Sequence, residues 1–331
     1  MTAFVAVYRI GIILYVYFRL IMNQTRSYLK AKFDAMGIRP QSRLGQNFLI
    51  DLNLLRLLHE SGRIEPHDVI LEVGTGTGSL TASMSEKAAV IITVDVDPVM
   101  QELAKQELFG KKNIRFIKTD ILKNKNRLRE EVLEMVREEL NKPEPNGKKR
   151  RFKLIANLPY CIATPLISNL LLTETPPSLM CVTIQKELAD RITAKPRSKD
   201  WGALSLWTQA QCNTEIIRIM PPTVFWPRPK VDSAIVRLTL DEKRRNKIPD
   251  LKFFNEFSRA IFFHRRKFLR AELNSAFKNT IPKQRIDEIM DEMKFDASTR
   301  AETLPLKTMQ RLCELCRQEL LKLPENKRKI L

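Results

Sequence analysis

Asp68-Val-Ile-Leu-Glu-Val73, running straight into Gly74-Thr-Gly-Thr-Gly78, decides the fold. A short, mostly apolar run closed by glycine reads as a buried strand, and the glycines after it as a strand-to-helix turn. A second strand, Val90-Ile-Ile-Thr-Val-Asp95, follows, then a helical pattern from Pro98 to Leu108 and a third strand, Ile114-Arg-Phe-Ile117, whose run ends at Asp120. Strand patterns return at Phe152–Ala156 and Met180–Ile184, with helical patterns between them. Alternation of this kind builds an open parallel sheet with helices on both faces. Cys212–Met220 and Asp232–Leu240 read as two further strands with no full helix between them, a hairpin-like finish to the sheet.

Outside this core the composition shifts. Residues 124–151 are charge-rich and include Asn141-Lys-Pro-Glu-Pro-Asn-Gly-Lys-Lys-Arg-Arg151; here Arg127–Leu140 reads as an exposed helix and Pro143–Gly147 as a surface loop. Asp241–Asp250 is polar, charged and carries Pro249, which reads as a linker. From Leu251 the apolar residues fall at helical spacing with no strand evident. The expected organisation is an N-terminal extension at 1–38, an α/β domain at 39–242 with a charged insertion at 124–151, and a small all-α domain at 251–325. Phe4–Met22 is apolar but broken by Arg9 and Arg19, and its uninterrupted centre is far shorter than the roughly 20 residues that a membrane span needs. Three readings of it stay open: an anchor, a peripheral amphipathic segment, or upstream sequence ahead of a start at Met22, in which case residues 1–21 are not translated.

In a chain of 331 residues, 44% hydrophobic and 29% charged residues exclude wholesale disorder. Lys and Arg outnumber Asp and Glu by 57 to 38, a net charge of +19, which points to a polyanionic partner. Five cysteines do not make a secreted disulfide framework and fit a reducing cytosol. Cys313 and Cys316 have metal-type spacing without a second pair and read as two packed thiols; His59, His67 and His264 form no cluster, so no metal is expected. Trp201, Trp207 and Trp226 read as core or loop anchors.

A glycine-rich turn alone is shared by many nucleotide-binding folds. Here Asp95 ends the next strand, where a carboxylate can accept from both hydroxyls of a ribose. Asp120 ends the third, where it can accept from an adenine amino group. Acids at successive strand ends fit an adenosine ligand without a pyrophosphate, so S-adenosyl-L-methionine matches better than NAD. Asn157-Leu-Pro-Tyr160, at the end of the Phe152–Ala156 strand, suits an exocyclic amine. The Asn157 side-chain oxygen and the Leu158 carbonyl, held by Pro159, can accept both N–H bonds of an adenine N6, and the Tyr160 ring gives a flipped base a stacking surface.

With these motifs the chain resembles the KsgA/RsmA family of ribosomal RNA adenine dimethyltransferases. The resemblance is carried by Leu44-Gly-Gln-Asn-Phe-Leu-Ile-Asp51, Glu72-Val-Gly-Thr-Gly-Thr-Gly-Ser-Leu-Thr81, Asn157-Leu-Pro-Tyr160 with Thr164-Pro165, and Gln185-Lys-Glu187. It continues through Pro221-Pro-Thr-Val-Phe-Trp-Pro-Arg-Pro-Lys-Val-Asp-Ser-Ala234 and His264-Arg-Arg-Lys267. It implies a Rossmann-like class I methyltransferase sheet followed by a small all-α C-terminal domain. It places Asn47 and Leu49 over the cofactor, Gly74 against its methionine part, Asp95 at the ribose, Asp120 at the adenine, and Asn157 in both the cofactor and target pockets. Tyr160 and Phe225 are the expected faces of an aromatic sandwich around the target base. Arg265, Arg266 and Lys267, on a helical pattern, are expected to touch RNA phosphates.

The implied reaction is dimethylation of two adjacent adenosines near the 3′ end of small-subunit ribosomal RNA. The implied partner is an immature 30S subunit, met by a cytoplasmic monomer with no membrane partner. Departures from the family pattern are Thr75 in place of Pro, Cys161 in place of Asn and His264 in place of Gln; residues 1–22 and 124–151 fall outside it. An Erm-type large-subunit enzyme would more commonly carry Ile at Leu158, and a DNA adenine methyltransferase would more usually show Asp-Pro-Pro-Tyr. A non-catalytic assembly factor would be free to lose Asp95 or Asn157.

Overall fold

The computed structural model describes residues 25–41, 44–144 and 147–325. The segment Phe4–Met22 and residues 145–146 of the charged loop lie outside the described residues. The strands are β1 (Phe48–Leu49), β2 (Asp68–Val73), β3 (Val90–Asp95), β4 (Ile114–Lys118), β5 (Leu122–Asn124), β6 (Arg127–Leu128), β7 (Arg151–Asn157), β8 (Leu179–Gln185), β9 (Cys212–Met220), β10 (Phe225–Trp226) and β11 (Ser233–Leu240).

Seven of them form one sheet in the order β4-β3-β2-β7-β8-β11-β9, and β4-β3, β3-β2, β2-β7 and β7-β8 are parallel pairs. This is the expected α/β sheet, with β11 and β9 as neighbours at one edge. Side chains alternate between the two faces of a strand, so a strand covered on both sides is apolar at successive positions. Val69, Ile70 and Leu71 meet that condition, all fully buried. Ile91, Ile70, Ile155, Cys181 and Ile235, one from each of five adjacent strands, pack with Leu58 of the helix Leu52–Ser61 and with Leu80 and Met84 of the helix Ser79–Ser85.

The helix expected at Arg127–Leu140 differs from its reading. It spans Glu130–Leu140, packs on β2, β3 and β7, and buries Val132 and Val136. It is therefore a layer of the fold and not an exposed insertion. Its carboxylates concealed this: Glu139 is buried, and Arg150 donates to it from Nη1 at 2.9 Å while Lys142 reaches it at 2.7 Å. The described part of the N-terminal extension is also docked. The helix Arg26–Ala35 sets the Phe33 ring edge-on against Phe48 and Trp226, at 5.5 and 5.3 Å between centroids.

The chain divides into two compact units. One holds the described residues through Asn169 with Pro177–Lys186 and Ile216–Arg237. The other holds Leu170–Pro176, Glu187–Glu215 and the described residues from Leu238 onward. In the second unit the helix Leu251–Ile261 packs on Ala203–Gln209, Leu269–Ala276 and Leu306–Leu321, with Trp207 beside Phe254 and Phe257 beside Phe277. Asp241–Asp250 contains a short helix, Glu242–Arg245, and Arg245 donates to the carbonyl oxygens of Leu171 and Thr173. Trp201 and Trp207 are core residues, and Cys313 and Cys316 are both buried and unbonded to each other. Among the described residues no helix is long and apolar enough to cross a membrane, and no three or more His, Cys, Asp or Glu side chains gather as a metal cluster.

Candidate active site

β2 ends at Val73, and the chain turns at Gly74 with φ of +88°, a left-handed conformation that a residue with a Cβ adopts only under strain. The Gly74 N–H donates to the Val94 carbonyl at 2.8 Å, which folds the turn over the end of β3. A Cβ on Gly74 would lie 3.3 Å from Pro159 Cδ, so this turn and the Asn157–Tyr160 tetrad are packed together. Asp95, at the end of β3, accepts from the Gly76 N–H at 3.1 Å and from the Asp97 N–H at 2.9 Å. Burial raises its pKa, and these two backbone donors oppose the rise.

Asp97 caps the helix Pro98–Glu107 and also accepts from Gln46 Nε2 at 2.8 Å. That contact pins the Leu44–Asp51 segment, which carries Asn47 and Leu49. Asn157 Nδ2 donates to the Asn47 carbonyl at 2.9 Å, and the Leu158 N–H to the Thr183 carbonyl on β8. The amide of Asn157 is thus oriented, with its Oδ1 left to accept.

These elements enclose a cavity of about 430 Å³. Asn47, Leu49, Gly74, Asp95, Asp120 and Asn157, all expected at a cofactor, line it, as do Leu158 and Pro159. Asp120 sits exposed at the rim, where its Oδ1 accepts from the Leu122 N–H. Neither Tyr160 nor Phe225 is among the residues that line the cavity. Tyr160 is half-buried, its hydroxyl paired with Ser233 Oγ at 2.5 Å. Phe225 is 3% exposed and packs among Leu49, Leu58 and Leu80, because β10 pairs with β1 and sets Phe225 opposite Leu49. As a stacking face it would first have to leave this cluster.

The sequence reading gave no separate role to Glu72, which the structure places on the cavity wall. The residue is fully buried, and its Oε2 accepts from Thr81 and, at 2.7 Å, from Thr93. Because the Thr93 proton goes to Glu72, Thr75 is the donor in the 2.7 Å contact between the two threonines. The departure at Thr75 therefore extends a hydroxyl network to the acid. Burial pushes the Glu72 pKa up to about 8, above its ordinary 4.5, against the two hydroxyl bonds. Its signal in the sequence is an acid among the apolar residues of a buried strand, one position before the strand ends.

This pKa sets a pH dependence. Between pH 4.5 and about 8 the folded state holds a proton that the unfolded chain has released, so stability falls as pH rises through that window. Glu72→Gln keeps the group neutral and is expected to flatten this part of the profile. Thermal unfolding of both proteins from pH 5 to 8 checks it; parallel profiles would contradict the assignment.

Arg265, Arg266 and Lys267 lie in the second unit, and not on a helix as expected. They occupy the turn between Leu251–Ile261 and Leu269–Ala276. Arg265 is turned inward: Nη1 donates to the Lys199 carbonyl at 2.5 Å and Nη2 to Glu302 at 3.2 Å. Arg266 and Lys267 are exposed.

The family model described as Ribosomal RNA adenine dimethylase matches residues 38–312. A Ribosomal RNA small subunit methyltransferase A from Lachnoclostridium phytofermentans is 36% identical over 276 residues, 83% of this chain and 91% of the relative. One from Streptococcus thermophilus is 33% identical over 293 residues, 88% of this chain and 97% of the relative. Among solved structures, a dimethyladenosine transferase from Plasmodium falciparum aligns with a TM-score of 0.65 at 22% identity, covering 81% of this chain and 97% of its own. The 23S rRNA methyltransferase ErmE aligns at 0.55 and 21% identity, covering 81% and 99%. These two structures bear on the fold alone.

Proposed function

The chain belongs to the ribosomal RNA adenine dimethylase family, and from that premise we propose that it uses S-adenosyl-L-methionine to dimethylate N6 of two adjacent adenosines near the 3′ end of small-subunit ribosomal RNA. One observation carries this reading. In a chain of net charge +19, the cavity is lined by Glu72, Asp95 and Asp120 and, among the described residues, by no Lys, Arg or His. A cofactor with a sulfonium and an ammonium group suits such a wall, whereas a pyrophosphate would set negative charge beside the Asp95 and Asp120 carboxylates with no basic side chain on the wall to offset it.

Asp95 would hold the ribose hydroxyls, Asp120 the adenine amino group, Gly74 the methionine part, and Asn47 and Leu49 the covering side. The bound cofactor supplies an electrophilic methyl group. The chain's own work is to place and desolvate the attacking amine. Asn157 Oδ1 and the Leu158 carbonyl are the two acceptors for the N6 hydrogens. They aim the nitrogen lone pair and stabilise the positive charge that develops on it. Water takes the proton from the resulting ammonium, so the tetrad needs no strong base. The second transfer meets an amine with one N–H fewer, so one of the two acceptors is released and the pocket holds a methyl group. The finer reading is of a cytoplasmic monomer with no resident metal that acts on an immature 30S subunit.

Asp95→Ala is expected to weaken cofactor binding by about 1.5–3 kcal/mol, as for a hydrogen-bonded charge. Calorimetric titration with S-adenosylmethionine and with NAD checks both statements: the variant loses affinity for the first, and neither protein binds the second. Unchanged affinity in the variant would remove Asp95 from the site. Because a cationic cofactor favours ionised Glu72, wild-type affinity is also expected to rise toward pH 8, and that of Glu72→Gln to stay flat in the same titrations.

A further inference from the structure

The helix Arg26–Ala35 lies ahead of residues 38–312, the part of the chain that the family model matches, yet its apolar face is set behind the cavity. Leu29 and Phe33 are each 1% exposed, and they pack with Phe48, Met100 and Leu103 and beside Trp226. Phe48 and Met100 also line the cavity, so this cluster is the back of its wall. Lys32 pairs with Glu107 and ties the N-terminal helix to Pro98–Glu107, the helix that carries Met100.

Strand alternation explains the arrangement. In β1, Phe48 and Leu49 point to opposite faces. Leu49 joins the sheet core with Leu58 and Leu80, and Phe48 joins the cluster under the N-terminal helix. The glycine turn also touches the Phe48 ring: a Cβ on Gly76 would lie 3.3 Å from Phe48 Cε1. The segment that carries Asn47 and Leu49 and the turn that carries Gly74 therefore meet at one ring. Phe33 stands edge-on to that ring at 5.5 Å.

Resting on the function proposed above, we infer that Phe33 is a positioning residue for the cofactor: through Phe48 it holds the Leu44–Asp51 segment closed over S-adenosyl-L-methionine and so sets how long the cofactor stays bound. β1 is a two-residue strand paired with the two residues of β10, so its backbone bonds are few and side-chain packing has to fix it. Without the Phe33 ring the segment also visits open arrangements, and apparent affinity falls with the fraction of time it is closed. A bound cofactor touches Asn47 and Leu49 and restores the closure. The loss therefore lies in binding and release and not in the transfer step.

The test is release of labelled S-adenosyl-L-methionine from the full chain into an excess of unlabelled cofactor, beside calorimetric affinity and single-turnover methylation of small subunits. Phe33→Ala is expected to speed release and weaken affinity by about 5- to 150-fold, the range of coupling between two linked sites. At saturating cofactor its single-turnover rate returns to that of wild type. Phe33→Leu, which keeps most of the buried volume, changes release in the same direction by less. Ile289→Ala, in the buried core of the second unit, lowers the unfolding temperature and leaves release unchanged.

The inference is overturned if Phe33→Ala releases cofactor at the wild-type rate; where the alanine variant does not fold, Phe33→Leu decides in its place. It is equally overturned if Ile289→Ala releases cofactor as fast, which marks a general loss of stability. A single-turnover rate that stays depressed at saturating cofactor also overturns it, because the ring then acts on the transfer step. Failure of the wild-type chain to bind S-adenosyl-L-methionine at all would instead remove the function on which the inference rests.

Discussion

Asn157→Ala lowers single-turnover methylation of undermethylated small subunits by about 10²–10³-fold, the typical cost of losing an oriented polar group that acts in the transition state. The structure gives the orientation a cause. Asn157 Nδ2 is committed to the Asn47 carbonyl, so the side-chain oxygen is the atom offered to N6. Alanine removes that acceptor and also frees the Asn47 segment from its tie. RNA binding, measured separately, is expected to persist, because Arg266 and Lys267, the exposed basic residues expected to meet phosphate, lie elsewhere in the chain. A variant with near-normal rates would show that the tetrad is not the catalytic centre.

Tyr160→Ala is the second large loss, expected at about 1–3 kcal/mol for a missing stacking face. Tyr160→Phe is milder but not silent. Its hydroxyl is paired with Ser233 Oγ, and Ser233 is fully buried, so removing one partner leaves a buried hydroxyl unpaired at about 1–3 kcal/mol of stability. If the hydroxyl only holds the ring, Ser233→Ala reproduces the rate of Tyr160→Phe, and the double variant is no slower than either single one. Single-turnover rates with thermal unfolding of all four proteins decide this. A Tyr160→Phe variant as inactive as Asn157→Ala, beside an active Ser233→Ala, would give the hydroxyl a direct chemical role and end the stacking account.

The sheet was legible because parallel strands buried on both faces are written as continuous apolar runs. Asp68–Val73, Val90–Asp95 and Cys212–Met220 have the bounds read from the sequence, and the other four strands differ at their ends by one or two residues. The cavity residues were legible for a related reason: acids and an Asn-Leu-Pro stretch at the ends of such runs have nothing to do in the core. What stayed hidden depends on partners distant in sequence. Ser233 lies 73 residues from Tyr160, and the Asn47 carbonyl 110 residues from Asn157, so neither anchor has a local signal. The Glu130–Leu140 helix was misread because its acidic residues outweighed the Val132–Val136 spacing, and the Arg150 that accompanies Glu139 lies eleven positions on. Arg265 looked like its two neighbours. Only the packing shows that it faces Lys199 and Glu302 while they face solvent.

The most direct measurement is transfer of labelled methyl from S-adenosylmethionine to small subunits isolated in an undermethylated state, followed by nucleoside analysis of the RNA. The account predicts N6,N6-dimethyladenosine at two adjacent positions near the 3′ end of the small-subunit RNA, with none formed on large-subunit RNA. Cofactor and subunit binding without any transferred label would contradict it and leave an assembly factor with an unused site. Label found in the large-subunit RNA instead would contradict the substrate.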